Sequence, residues 1–213
     1  MTPVYYFEIE QRSAEWHELR KGKFTGTDAS MLLVNGKNPN GLGAGVITAL
    51  YEKCAELIAD YSPQSFDTFA MQQGREREPD AIESYEERIF PEMVAACGFV
   101  ELGNYCGVSP DGLVGKDGGI EVKCLQPPAY LEYILDRTID AKHLAQIQWS
   151  MFITGRKWWD YVVYNPDFGA YPIDVRRIER NEEMMQVFET KSKVVSEAME
   201  TILSAYENLD NKD

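Results

Sequence analysis

The stretch SPDGLVGKDGGIEVKC, Ser109 to Cys124, places an aspartate, a glutamate and a lysine close together in the chain. Pro110-Asp111-Gly112 is turn chemistry, because proline presets φ and glycine tolerates positive φ. Lys116-Asp117-Gly118-Gly119 is a second turn, of the Asp-Gly hairpin kind. Beyond it Ile120, Val122 and Cys124 alternate with Glu121 and Lys123. Period-two alternation puts the three apolar side chains on one strand face and the Glu-Lys pair on the other. Asp111 then stands at one end of a hairpin and Glu121 with Lys123 on its returning strand. Two carboxylates and an ammonium share one small volume. Carboxylate oxygens are the hard ligands that magnesium takes. The competing reading is a solvated hairpin whose charged face meets water.

Two helices are expected to carry the remaining polar groups. In GREREPDAIESYE, Glu78, Ile82, Tyr85 and Ile89 recur at helical spacing, so Glu78 lies on the apolar face while Glu76, Glu83 and Glu86 point elsewhere. A carboxylate aimed at a core is costly unless it is paired or binds a metal. Gly74, one turn earlier, leaves room beside it. The alternative is a surface ion pair, with Arg75 as the partner. In DAKHLAQIQWSMFI, Leu144, Ile147 and Met151 form an apolar stripe, and His143, Gln146 and Ser150 a polar one. That polar stripe is either a line of hydrogen-bonding groups facing a site or the wet face of the helix.

The elements that must position these groups follow the order helices, small mixed sheet, helices, which is a single α/β domain. Ser13 caps a short helix, AEWHELRK, which Gly22 stops. Thr27 or Asp28 caps a second, ASMLLV. Residues 35–45 form a loop, and from Val46 a stripe of Val46, Ile47, Leu50, Tyr51, Cys54, Leu57 and Ile58 marks a helix. A further helix covers about 67–89. Residues 94–100 and 105–108 read as strands leading into the hairpin. Pro127 starts a helix and a longer one covers about 140–153. WWDYVVY, residues 158–164, is a strand buried on both faces, and 171–175 a further strand. A C-terminal helix over about 179–209 offers Met185, Phe188, Val195, Met199 and Ile202 to the core.

Composition narrows the function. The chain has 213 residues, 44% of them apolar, with no dividing low-complexity tract. Its start, MTPVYYFEIEQRS, lacks the features of a signal peptide, and no segment has the length of a membrane span. The four cysteines form no C-x-x-C pair, so reduced thiols in a cytoplasm are expected. With two histidines, neither at finger spacing, zinc is not expected. The net charge of −14 argues against loose electrostatic binding of nucleic acid. A DNA enzyme of this charge needs a local basic channel and metal ions at its acidic centre.

Together, RSAEWHELRKGKFTGTDAS, GREREPDA, SPDGLVGKDGGIEVKC and LAQIQWSMFITGRKWW resemble the phage lambda exonuclease/YqaJ-like viral recombinase branch of the PD-(D/E)XK nuclease superfamily. The motif-bearing core spans about 12–166 of a single nuclease domain, 1–213, and the C-terminal helix matches by position only. The resemblance implies a restriction-endonuclease-like α/β core, a small mixed β-sheet flanked by helices. It implies two Mg²⁺ ions, for which Mn²⁺ substitutes. Asp111 would bridge them, Glu121 and the Val122 carbonyl would complete one site, and Glu78 would hold the second ion. Lys123 would orient the attacking water, with Gln146 in support. His143 stands where the family commonly has tyrosine, and its role stays open. Arg20 and Thr27 match the arginine and hydroxyl that grip a 5′-phosphate of duplex DNA. Thr27 stands where serine is familiar, and ordinary helix capping is its other reading. Lys37 is a candidate phosphate contact. Met71 is either an apolar wedge at the terminal base pair or a core methionine.

The implied activity is a 5′→3′ exonuclease on double-stranded DNA, preferring 5′-phosphorylated ends, that leaves 3′ single-stranded tails for a single-strand annealing protein in phage recombination. The family's ring-shaped homotrimer would put basic residues inside and acidic ones outside. The setting would be the cytoplasm of a bacterial host, with the gene borne by a phage or prophage. Two alternatives stay open: an endonuclease on the same metal centre, and a catalytically dead DNA-binding recombination module. The latter would normally have lost a ligand or the lysine, and Asp111, Glu121 and Lys123 are all present. No cysteine follows Cys124, so the superfamily's iron–sulfur branch is disfavoured.

Overall fold

A computed structural model describes residues 1–59, 68–88 and 93–210 of the chain. Ile89 of the helical stripe and residue 67, the expected helix start, lie outside the described residues. The chain opens with β1 (Val4–Tyr6) and α1 (Ala14–Arg20). The Ser13 hydroxyl accepts the Trp16 N–H at 3.2 Å and so caps α1, which ends just before Gly22 at φ +67°. The next helix starts differently from the expectation at Thr27 or Asp28. Gly26–Asp28 form a 3-10 turn behind Thr25, whose N–H donates to the Asp28 carboxylate at 2.8 Å, and α2 is Ala29–Leu32. The reciprocal Thr-x-x-Asp bond takes the cap one turn earlier.

In α3 (Ala44–Ile58), Val46, Leu50 and Cys54 are buried, whereas Ile47, Tyr51, Leu57 and Ile58 are exposed. Only one side of the predicted stripe meets the core. The helix α4 is Phe69–Arg88. The expected strand 94–100 is two strands, β2 (Val94–Ala95) and β3 (Phe99–Glu101). Between them Gly98 passes so close to Ile9 that a Cβ would lie 1.9 Å from its carbonyl oxygen, and the chain leaves one sheet for the other. There follow β4 (Gly107–Val108), β5 (Gly112–Val114), β6 (Gly118–Cys124), α5 (Pro127–Asp136), α6 (Ala141–Thr154) and β7 (Trp158–Tyr164). The last strand, β8, is Ile173–Glu179 rather than 171–175, because it pairs with β7 over its whole length. The final helix, α7, is Glu182–Asp210.

Among the described residues two sheets result, β1-β3-β4 and β2-β5-β6-β7-β8. In the larger, β6 and β7 run parallel and the other neighbours antiparallel. The fold is therefore mixed α/β. One face of the larger sheet packs Ile120, Val122, Val162 and Tyr164 against Ala81 and Tyr85 of α4. The other turns Trp159, Tyr161 and Val163 toward Tyr130, Tyr133 and Ile147 of α5 and α6. The helix α7 closes the far side of α3 and α6 through Phe188, Val195 and Met199, all fully buried. Ile202 only packs partly against this core. Among the described residues no helix is long and apolar enough to cross a membrane.

The position of α4 is fixed by a buried polar link. Asp160 of β7 accepts the Tyr85 hydroxyl at 2.7 Å and two Arg177 nitrogens at 2.9 Å each. Tyr85 lies on the same helix face as Glu78, so this link also sets where Glu78 points.

The pairing of β6 with β7 depends on absent side chains. A Cβ on Gly119 would fall 2.4 Å from the Trp159 ring, and one on Gly118 2.0 Å from Trp158. Overpacking of this kind costs about 1–3 kcal/mol. Gly119→Ala is therefore expected to lower the urea midpoint correspondingly, whereas Gly169→Ala, with nothing within 4 Å, should stay within about 0.5 kcal/mol of wild type. Equal midpoints for the two variants would refute the close-packing account.

Candidate active site

The site begins where β5 ends. β5 pairs with β6 from Val114↔Gly118 to Gly112↔Ile120 and goes no further. Val122, two residues on, presents its N–H to that open edge, and the Asp111 carboxylate accepts it at 2.7 Å. The N–H and C=O of one strand residue point to the same edge, so the Val122 carbonyl faces the same space.

Glu121 is only 2% exposed, which excludes the solvated-hairpin reading. It accepts the Lys123 ammonium at 2.6 Å. The apolar residues and the Glu-Lys pair occupy opposite faces of β6, as the alternation requires. From the α4 side comes Glu78, with its side chain 26% exposed. Its ion-pair partner is the Arg12 guanidinium at 3.6 Å, rather than Arg75 as sequence spacing suggested. Gly74 faces β6 with room to spare: a Cβ there would meet the Cys124 carbonyl at 4.0 Å, an ordinary contact, so the approach of α4 does not require a glycine.

These groups feel one another. Burial raises the Asp111 pKa well above the usual carboxylate range; Glu121 and Glu78 push it up further, while Lys123 and the Val122 N–H pull against them. Burial likewise raises Glu78, with Arg12 opposing and Glu121 reinforcing the rise. Burial pulls the Lys123 pKa down, but Glu121 and Asp111 outweigh it and hold it above the ordinary lysine value. Lys123 is thus a fixed cation and donor.

Behind the centre, His143 Nδ1 lies 2.9 Å from the hydroxyl of Tyr161, the β7 residue in register with Glu121. Burial, with help from Lys123, lowers the His143 pKa. The predicted polar stripe on α6 is not its wet face: Ser150 is buried, and His143 and Gln146 are half-buried. Gln146 packs over Gly26, where a Cβ would lie 2.9 Å from its Cγ.

A second polar nest adjoins the hairpin turn. The Arg20 guanidinium lies over the Trp16 ring at 4.4 Å, donates to the Ser109 hydroxyl at 3.1 Å and reaches the Thr25 hydroxyl at 3.5 Å. Trp16 Nε1 also donates to Ser109, at 2.8 Å. Burial lowers the Arg20 pKa. Thr27 is exposed, with its hydroxyl 3.1 Å from that of Thr25, and makes no cap bond. Its helix-capping reading is therefore replaced by that of an available hydroxyl beside Arg20's partner. Lys37 is exposed in its loop. Met71 is 51% exposed, which rules out the core reading and leaves an apolar side chain at the surface of α4.

Sequence reasoning missed four contributors. Gln11 donates to the carbonyls of Cys97 and Pro110 and so pins the turn bearing Asp111. Arg12 gave no signal, because nothing local marks it for φ +73°. Ser109 stood inside the quoted motif, but its pairing with Arg20 spans the chain. Thr25 was detectable from the Thr-x-x-Asp spacing of FTGTD.

Among the described residues no three His, Cys, Asp or Glu side chains are already closed into an ion cage. The donor set nevertheless suits a hard divalent cation. Asp111, Glu121 and Glu78 are neighbouring carboxylates, each bonded to an N–H or a cationic side chain, and the Val122 carbonyl faces their space.

Residues 15–157 match the YqaJ-like viral recombinase domain, and the chain belongs to that family. An alkaline exonuclease from Laribacter hongkongensis, LHK-Exo, superposes with a TM-score of 0.80 at 26% identity, covering 94% of this chain and 99% of that one. Its complex with dAMP superposes equally well at 27% identity. A phage-related exonuclease from Haemophilus somnus 129PT has the same fold, with a TM-score of 0.62 at 15% identity over 86% of this chain and 96% of its own. No curated protein matches the chain. The restriction-endonuclease-like α/β core expected from the motifs is the observed fold.

A raised carboxylate pKa means that the fold disfavours the charged form. That stability is present below the unfolded carboxylate pKa and is lost as pH rises through the folded value. Neutralising such a group should stabilise the metal-free protein at neutral pH. Asp111→Asn retains an acceptor for the Val122 N–H and is expected to raise the melting temperature in EDTA by about 2–4 °C per kcal/mol of repulsion relieved. Glu78→Gln should leave it equal or higher. A drop of more than a few degrees in either variant would show that the carboxylate is a structural pairing group.

Proposed function

We propose that the protein is a divalent-metal-dependent 5′→3′ exonuclease on double-stranded DNA that leaves 3′ single-stranded tails for strand annealing during phage recombination. A nuclease role in recombination follows from the family and from the likeness to alkaline exonuclease LHK-Exo. The observation that carries the finer reading is the Arg20–Ser109 bond. It holds a guanidinium, a strong phosphate ligand, against the turn that also bears Asp111. A 5′-phosphate gripped there would bring the first phosphodiesters of an end to the carboxylates. This favours cleavage from ends over internal cutting.

Asp111 would bridge two Mg²⁺ ions, or Mn²⁺ in their place, with Glu121 and the Val122 carbonyl at one ion and Glu78 at the other. Such ions supply an activated water and charge stabilisation for the phosphoryl transition state and the leaving oxygen. The chain's own residues do the rest. Lys123, held protonated by Glu121 and Asp111, donates to the attacking water and stabilises its deprotonated form without serving as the base. Gln146 of α6, packed over Gly26 beside the phosphate nest, supports the substrate strand. Thr27 adds a hydroxyl donor to the phosphate, and Lys37 and Met71 lie on the surface for contacts further along the duplex.

Net charge −14 requires the basic groups to be concentrated where DNA runs. A homotrimeric ring with an inward basic surface meets that requirement. Its products suit a single-strand annealing protein, in the cytoplasm of a bacterial host carrying the phage or prophage.

The test is digestion of 5′-phosphorylated and 5′-hydroxyl linear duplex and of closed circular DNA, with Mg²⁺ or EDTA. Asp111→Ala, Glu121→Ala and Lys123→Ala should each abolish cleavage. Wild type should prefer the 5′-phosphate by about ten- to a hundredfold, since a charge-assisted hydrogen bond contributes roughly 1.5–3 kcal/mol. Arg20→Ala should lose most of that preference and Thr27→Ala less, because a neutral hydroxyl bonds more weakly. Equal slowing of both substrates by Arg20→Ala would refute end recognition, and cutting of closed circles would show an endonuclease.

A further inference from the structure

Arg12 is one of only two non-glycine residues among those described with positive φ, at +73°. For a long side chain this left-handed conformation is strained and persists only where neighbours over-determine it. The neighbours do so here. Gln11 is bonded to the carbonyls of Cys97 and Pro110, and Ser13 caps α1. Between these anchors the backbone kink directs the Arg12 side chain toward Glu78 on α4, with 3.6 Å between guanidinium nitrogen and carboxylate oxygen. The guanidinium side chain remains 51% exposed, so burial does not lock it in place. The other two carboxylates are satisfied by fixed partners, Val122 N–H and Lys123. Glu78 alone is held by a side chain that is both cationic and free to withdraw into solvent.

We propose that Arg12 is an electrostatic placeholder, occupying the cation position at Glu78 until a divalent ion displaces it. The inference rests on the proposed role of Glu78 as a metal ligand. Arg12 keeps the Glu78 carboxylate paired and facing the centre without a metal, and it opposes ion entry both by competing for the carboxylate and by like-charge repulsion. Ion loading frees the guanidinium. Arg12 is thus a positioning residue that sets the affinity of the second ion.

The test is calorimetric titration of the full chain with Mn²⁺, without DNA, so that turnover plays no part. Arg12→Gly removes the charge and relieves the backbone strain, which protects the fold. Arg12→Gln removes the charge and leaves the backbone unrelieved. Both should bind the weaker Mn²⁺ ion about three- to tenfold more tightly than wild type, the range expected for losing a partly exposed ion pair together with repulsion of a dication. In a double-mutant cycle, adding Glu78→Gln should erase the gain. Unchanged or weaker binding in both variants overturns the placeholder reading, as does a gain in Arg12→Gly alone, which would belong to the backbone. Wild type binding Mn²⁺ in a manner that Glu78→Gln does not alter would overturn the metal role of Glu78 and this inference with it.

Discussion

The site depends on a mismatch in strand length. β6 continues past the last residue of β5, leaving the Val122 N–H without a ladder partner. A buried amide without a partner costs about 1–3 kcal/mol, so something must bond it. The Asp111 carboxylate does, and in doing so is drawn into the space beside Glu121. Sheet hydrogen bonding thus places a carboxylate where electrostatics alone would not.

The consequence is a concentration of like charge in a half-dry volume. Three carboxylates converge, and each is met by a different kind of donor: a backbone N–H, an ammonium on the same strand, and a guanidinium from a distant loop. The arrangement is tolerable because each anion has a partner. The Val122 N–H is held by the sheet and Lys123 by its contact with buried Glu121, whereas the half-exposed Arg12 guanidinium reaches Glu78 from the surface.

The nest around Arg20 is built by the same economy of contacts. Ser109 accepts from both Trp16 and Arg20, so α1, the hairpin turn and the guanidinium form one unit. Thr25 and Asp28 close the facing 3-10 turn, leaving Thr27 exposed beside it. Gly26 has no side chain, and Gln146 of α6 fills the space. Two regions with separate chemistry are therefore mechanically joined, through Ser109 and Asp111 on one turn and through Gln146 on one helix.

Much of this was legible in the linear chain. Alternation in GGIEVKC set the two faces of β6, helical spacing put Glu78 in line with Tyr85, and Ser13 marked the start of α1, because period and capping are local properties of the backbone. Strand boundaries were less legible. β8 shifted toward its C-terminus because pairing with β7 decided its extent, and residues 94–100 divided because Gly98 passes beside Ile9, a contact that no local pattern encodes. The sequence by itself determined the residue types of the centre and the faces they occupy. Only the tertiary structure decided their partners: Arg12 rather than Arg75 for Glu78, Ser109 for Arg20, and Thr25 rather than Thr27 for the cap. Such pairings, apart from the local cap, join residues far apart in the chain, and their geometry exists only once the sheet and helices have brought those residues together.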